Sequence, residues 1–148
     1  MLYQPEIPPN TGNVGRLCVA VGAALHLVHP LGFSTDEKAV RRAGLDYWRH
    51  VDLTEHADPQ AFFGWTAGRR IHLFSAKAER TYLECDFEEG DALVFGCETR
   101  GLPPEVLSRH AAWRLPMKPG PIRSLNLGNA VSIVTYEGLR QLGPSWFA

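Results

Sequence analysis

The stretch ALVFGCETRGLPPEVL, residues 92–107, decides the fold class. Its opening ALVF is an unbroken apolar run, which suits a strand buried on both faces rather than one with a wet side. The run ends at Gly96, where the absent side chain lets a ligand approach the backbone. Pro103 and Pro104 then open a helix through Leu107, because the first helical turn does not need their missing N–H donors. A doubly buried strand, a polar turn and a helix together form the repeating unit of a sheet sandwiched between helices.

The same alternation extends in both directions. LHLVHP (25–30) reads as a strand ended by proline, YWRHVDL (47–53) and RIHLFSA (70–76) are strand-like, and WRLPM (113–117) gives one last short strand. Between them, Asn10 or Thr11 is expected to cap a helix in which Val14, Leu17, Cys18 and Val21 recur at helical spacing, with Gly22 as its stop. Asp36 caps EKAVRRAG, closed by Gly44, and ADPQAFFGW (57–65) carries a proline near a helix start. The chain closes with PIRSLNLGNAVSIVTYEGLRQLG (121–143), whose second half is an apolar-faced helix. The expected architecture is α/β: a mainly parallel sheet with helices on both faces, in one domain over residues 1–148. In such folds ligands bind in the loops beyond the carboxyl ends of the strands.

Bulk properties narrow the function. A formal charge of −1 argues against a protein that coats nucleic acid by total charge, though local basic patches remain open to it. Cys18, Cys85 and Cys97 are odd in number and widely spaced, which fits reduced thiols rather than a disulfide framework or paired zinc knuckles. GxGxxG after a strand, GxxxxGK[ST], GxSxG and HExxH are all missing. His26 and His29 stand three apart on a strand and so point to opposite faces, and no metal is expected. No membrane-length apolar run or secretory leader pattern is visible, so the expectation is a cytoplasmic protein without membrane contact.

Three polar loops stand out. PEIPPNTGNVGR (5–16) runs into a helix with Arg16 one turn inside, and its helix-terminal amides together with Arg16 suggest an anion site for a phosphate. VFGCETRGLP (94–103) sends Glu98 and Arg100 out where a crevice would lie. RLPMKPGPIRSLNLGNAV (114–131) has more hydrogen-bonding groups than one helix cap can use.

Taken together, PEIPPNTGN, RRAGLDY, FGxETRGLP and RSLNLxNAVS followed by YEGLRQLG resemble the SPOUT class of RNA methyltransferases, in its TrmL (YibK-like) branch. The resemblance covers about Tyr3 to Gly143. It implies 2′-O-methylation of the wobble nucleotide of tRNA, cytidine or modified uridine at position 34, with S-adenosylmethionine as donor. It further implies a C-terminal deep trefoil knot over roughly residues 71–143, a homodimer, and the tRNA anticodon stem-loop as partner. By the same resemblance Phe74, Gly96, Leu115, Met117, Ser124 and Leu125 hold the cofactor, and Arg16 is catalytic. Asn10, Glu98 and Tyr136 fall at the substrate site, with Asn10 orienting the first loop and Glu98 fixing the second. Arg41, Arg42 and Arg123 are expected to meet RNA.

Three positions depart from the branch pattern: Cys97 replaces a common proline, Gly128 replaces a serine, and residues 118–123 run one residue longer. A sister enzyme acting on another tRNA position or on ribosomal RNA stays open, as does a catalytically silent knotted RNA-binding module.

Overall fold

The structure, a computed structural model, describes residues 1–42, 44–143 and 145, with the side chains of Glu37 and Arg41 left out. The expectation for Arg41 as an RNA contact therefore lies outside the described residues.

Seven strands form one sheet: Leu2–Tyr3 (β1), Leu25–Val28 (β2), Leu53–His56 (β3), Ile71–Phe74 (β4), Arg80–Thr81 (β5), Ala92–Phe95 (β6) and Ala112–Arg114 (β7). Their order is β3-β2-β1-β6-β4-β7-β5, and every pairing between them is parallel. The helices are Pro8–Val21 (α1), Glu37–Arg42 (α2), Pro59–Thr66 (α3), Pro104–Leu107 (α4) and Leu127–Leu142 (α5).

The period-two geometry of strands sorts the apolar residues into two cores. Leu2, Leu25, Leu27, Phe74 and Phe95 face one side, where they meet Val14 and Cys18 of α1 and Val131 and Val134 of α5. Their chain neighbours Tyr3, Val28, Leu73 and Val94 face the other, against Phe62 of α3 and Val106 of α4. Both faces of the sheet are thus covered, as the run ALVF requires. Phe74 and Phe95 are register partners on adjacent strands, and their rings stack with centroids 4.8 Å apart. Each fully buried side chain of this kind contributes about 1.5–3 kcal/mol.

Two sequence expectations are corrected here. Helix α1 begins at Pro8, with Ile7 as its cap residue, so Asn10 and Thr11 lie inside the helix and cap nothing. Two prolines preset the backbone angle of the first turn and bring no N–H that needs a partner, which removes the demand for a capping side chain. Residues 47–53 are not a strand: Asp46–His50 form a 3-10 turn, and β3 starts only at Leu53. The aromatic residues that favour strands find their burial against α1 instead. A methyl group on Gly15 would lie 2.7 Å from the Trp48 ring, and one on Gly12 would lie 3.4 Å from Leu45. The two glycines open a groove on α1, and the turn fills it.

A partly buried polar chain anchors the opposite end of the sheet. Asp91 accepts hydrogen bonds from Arg70 Nε at 2.7 Å and from the Glu88 amide at 2.8 Å, and it pairs with His72 Nε2 at 2.8 Å. The other ring nitrogen of His72 faces Cys85 Sγ at 3.3 Å. The geometry has the outline of a Cys-His-Asp triad, but burial first, and then the nearby Asp91 charge, push the Cys85 thiol up to about 12, so it is an inert structural group.

Burial alone would raise the Asp91 carboxyl, but the hydrogen bonds from Arg70, Glu88 and His72 outweigh it and hold the group below its ordinary value. A depressed carboxylate adds stability that is fully present above the unfolded pKa, about 3.9, and is lost as pH falls through the lower folded value. Asp91→Asn is therefore expected to lower the melting temperature at pH 7 and to flatten its decline below pH 4. An unchanged acid limb in a melting-temperature series across pH would contradict this.

Candidate functional site

The loops after β1, β4, β6 and β7 meet at the carboxyl edge of the sheet, and a small set of hydrogen bonds ties them together. After β6 the chain turns tightly, with an isolated bridge pairing Cys97 with Gly101 and the Gly101 amide bonding the Cys97 carbonyl at 3.0 Å. Gly101 has φ +70°, a conformation that glycine adopts without strain. The turn presents Glu98 to the first loop, where its carboxylate accepts from the amides of Glu6 at 2.8 Å and Ile7 at 3.1 Å. The same carboxylate accepts from Asn10 Nδ2 at 3.0 Å.

Asn10 continues the chain: its Oδ1 accepts from Asn126 Nδ2 at 2.9 Å, and Asn126 Oδ1 caps α5 by accepting the Asn129 amide at 3.2 Å. One relay, Glu98–Asn10–Asn126, thus joins all three polar loops. In return, Glu6 accepts from the Thr99 hydroxyl at 2.8 Å and from its amide at 3.2 Å. This pairing accounts for Asn126 and the Asn129 amide, while Arg123, Ser124 and the Asn129 side chain lie exposed to solvent and need no buried partner.

The relay also removes the helix-terminal amides from the anion site expected at the start of α1. The amides of Glu6 and Ile7 are already taken by a carboxylate of the chain itself, and the next two residues are prolines without amides. The Asn10 and Thr11 amides bond back to the Ile7 carbonyl. Among the described residues no free backbone amide of residues 6–11 remains there for a phosphate, which leaves the Arg16 guanidinium as the donor.

The relay borders a cleft of about 710 Å³. That volume lies within the range of small-molecule sites. Phe74, Gly96, Leu115, Met117, Ser124 and Leu125 all line it, as do Asn10 and Glu98. The walls include Phe95, Leu127 and Ala130, and Lys77, Arg100 and Arg123 bring positive charge. Arg16 and Tyr136 stand outside this lining. Arg16 is exposed on α1, its guanidinium carbon 5.0 Å from the Tyr47 ring centroid. Tyr136 is 51% exposed on α5, near Ile133.

Sequence reasoning did not single out Lys77 for the cleft, nor Glu6 and Thr99 for its frame. The pairing of Glu6 with Thr99 spans 93 positions and leaves no local signature. At the departure Gly128, a methyl group would come within 3.3 Å of Asn126 Oδ1, so the glycine gives the capping asparagine room. Among the described residues there is no group of three or more His, Cys, Asp or Glu able to hold a metal, and no helix long and apolar enough to cross a membrane.

A parallel α/β sheet with a nucleoside-sized cleft among braced loops at its carboxyl edge defines the general class. The chain belongs to the SpoU rRNA methylase family, whose model matches residues 1–136. It is 48% identical over 146 residues to a tRNA (cytidine(34)-2′-O)-methyltransferase of Saccharophagus degradans, covering 97% of this chain and 94% of the relative. A solved structure concerned with the 2-OH methylation of C/U34 on tRNA matches with a TM-score of 0.88 and 53% identity, covering 95% of this chain and 93% of the other. An AdoMet-bound rRNA methyltransferase from Sinorhizobium meliloti matches with a TM-score of 0.82 and 26% identity, covering 97% of this chain and 56% of that one.

Proposed function

We propose that this chain transfers the methyl group of S-adenosylmethionine to the ribose 2′-hydroxyl of nucleotide 34 of tRNA, a cytidine or modified uridine. The observation that carries this reading is the meeting of Phe74, Gly96, Leu115, Met117, Ser124 and Leu125 in one cleft. Near-full-length similarity to a tRNA (cytidine(34)-2′-O)-methyltransferase supports the nucleotide position.

The residues present fit the cofactor. Leu115, Met117 and Leu125 offer apolar walls for an adenine, Gly96 leaves backbone accessible, and Ser124 offers a hydroxyl. Lys77 and Arg123 suit a carboxylate. When bound, the cofactor supplies an electrophilic methyl on a sulfonium. The chain's own residues must then orient the ribose, stabilise the oxygen as its proton leaves, and exclude water. Arg16 takes the second task. A guanidinium donates hydrogen bonds and accepts none, so Arg16 stabilises the developing alkoxide and holds the adjoining phosphate rather than removing the proton. Asn10 and Glu98 act on the substrate through the relay that fixes the loops, and Tyr136 is assigned to the RNA-facing rim.

Three further assignments accompany this reading. Residues 71–143 are assigned a deep trefoil knot. Support comes from Gln141 of α5, which accepts from the Phe87 amide at 3.0 Å and donates to the Cys85 carbonyl at 3.1 Å, holding the last helix to the loop after β5. A homodimer is assigned because Val19 of α1 and Ile133 of α5 expose apolar surface on two helices that pack together. A cytoplasmic location follows from the tRNA substrate, and no metal takes part.

The test is to incubate the purified protein with labelled S-adenosylmethionine and total tRNA from a strain lacking it, then map the label. Label on the ribose of nucleotide 34 is expected. Label at another tRNA position, or on ribosomal RNA alone when that is supplied, would move the assignment to a sister activity.

A further inference from the structure

We propose that Tyr47 is the positioning residue for Arg16, holding the guanidinium in the attitude that methyl transfer needs; this rests on the catalytic reading of Arg16 given above. An arginine side chain exposed on a helix is free to sample many rotamers, and ordering it costs about 2 kcal/mol of rotamer entropy. A residue that stabilises an alkoxide should not meet that cost at the moment of reaction.

The structure shows how the arginine is held. Arg16 lies over the Tyr47 ring with its guanidinium carbon 5.0 Å from the centroid, within the range of a cation–π contact. The ring is itself fixed from below. Its hydroxyl donates to the Gly12 carbonyl at 2.7 Å, one helical turn before Arg16. The turn that carries it is docked in the groove left by Gly12 and Gly15, with Trp48 against the second glycine. Glycine inside a helix is destabilising by roughly 0.5–1 kcal/mol relative to alanine, so two glycines in α1 call for a structural reason. Docking of the tyrosine-bearing turn supplies it. The side chain that carries charge and the ring that orients it are thus built on two elements locked face to face.

Two parts of Tyr47 can be separated. Tyr47→Phe keeps the ring and loses only the hydrogen bond to Gly12, and kcat is expected to stay within about twofold. Tyr47→Leu removes the ring, and kcat is expected to fall about fivefold to tenfold, the scale of a cation–π contact, with the KM for S-adenosylmethionine unchanged. In single-turnover assays Tyr47→Leu is expected to add little to the loss already caused by Arg16→Ala, because the two act as a unit. A purely structural tyrosine would instead lower the rate by the same factor in both backgrounds, which would overturn the proposal.

Order at Arg16 provides a measurement independent of any variant. In the wild-type protein, NMR of the Arg16 Nε–H is expected to show a ring-current shift and restricted motion. A group as mobile as other surface arginines would overturn the proposal even if Tyr47→Leu failed to fold. If Arg16→Ala turns over normally, the catalytic reading of Arg16 is what fails. If it is slow while Tyr47→Leu is normal, the role of Tyr47 alone is refuted.

Discussion

Arg16→Ala is expected to lower the rate of methyl transfer at least a hundredfold while leaving S-adenosylmethionine affinity within a few fold. Removing one donor aimed at a developing oxyanion typically lowers kcat by about 10²–10³, and Arg16 is the residue assigned to that task. The split between rate and affinity follows from the structure. Arg16 is exposed on α1 and is not among the residues that line the cleft, so its loss leaves the cofactor's contacts intact. Turnover on tRNA paired with calorimetric cofactor binding checks both halves. Normal turnover would remove Arg16 from the mechanism, and a matching collapse of cofactor affinity would mean that the side chain supports the pocket instead.

Gly96→Ala acts through the cleft itself. A methyl group there would lie 2.1 Å from the Gly101 carbonyl carbon and 2.2 Å from the Leu102 nitrogen. Both are backbone atoms, so no side chain can swing aside, and the turn from Gly96 to Gly101 must open. Overpacking of this kind destabilises by about 3 kcal/mol, which for a chain of this length is a melting-temperature drop of roughly 10 °C. Because the same turn presents Glu98 to the relay, cofactor affinity is expected to fall by more than an order of magnitude as well. Gly64→Ala is the matched control: Gly64 lies inside α3 with nothing within 4 Å of the added methyl, and alanine there should be neutral or slightly stabilising. Equal stability of the two variants in thermal denaturation would contradict the steric account of Gly96.

The contrast between these two glycines shows what a sequence discloses. The strand at residues 92–95 was legible because an unbroken apolar run has few alternatives. Gly22 was legible as a stop and adopts φ +68°, and Asp36 accepts the Ala39 amide at 2.8 Å, as its position before EKAV implied. Both are local signals, completed within four residues.

The misreadings have one physical origin. Tyr47, Trp48 and Val51 favour strands in isolation, but the same bulk packs equally well into a groove made by glycines some thirty residues earlier. Local preference could not register that groove. Likewise, the asparagines at 10 and 126 each resemble an ordinary helix cap, and only the second is one. Their partnership spans 116 positions and their link to Glu98 spans 88, distances at which composition and period carry no information. The three loops were recognisable as a set by resemblance. What the fold adds is the reason they act together: a carboxylate and two amides form a hydrogen-bonded chain along the cleft.

Every role proposed above requires this cleft to hold S-adenosylmethionine beside the site where ribose is modified. A crystal structure of the protein with the cofactor tests it most directly. Density for the adenosyl group is expected between Leu115, Met117 and Leu125, with the backbone at Gly96 against it and the relay from Glu98 to Asn126 unbroken. A cofactor bound elsewhere on the molecule, or a cleft that stays closed to it at saturating concentration, would rule out this cleft as the donor site.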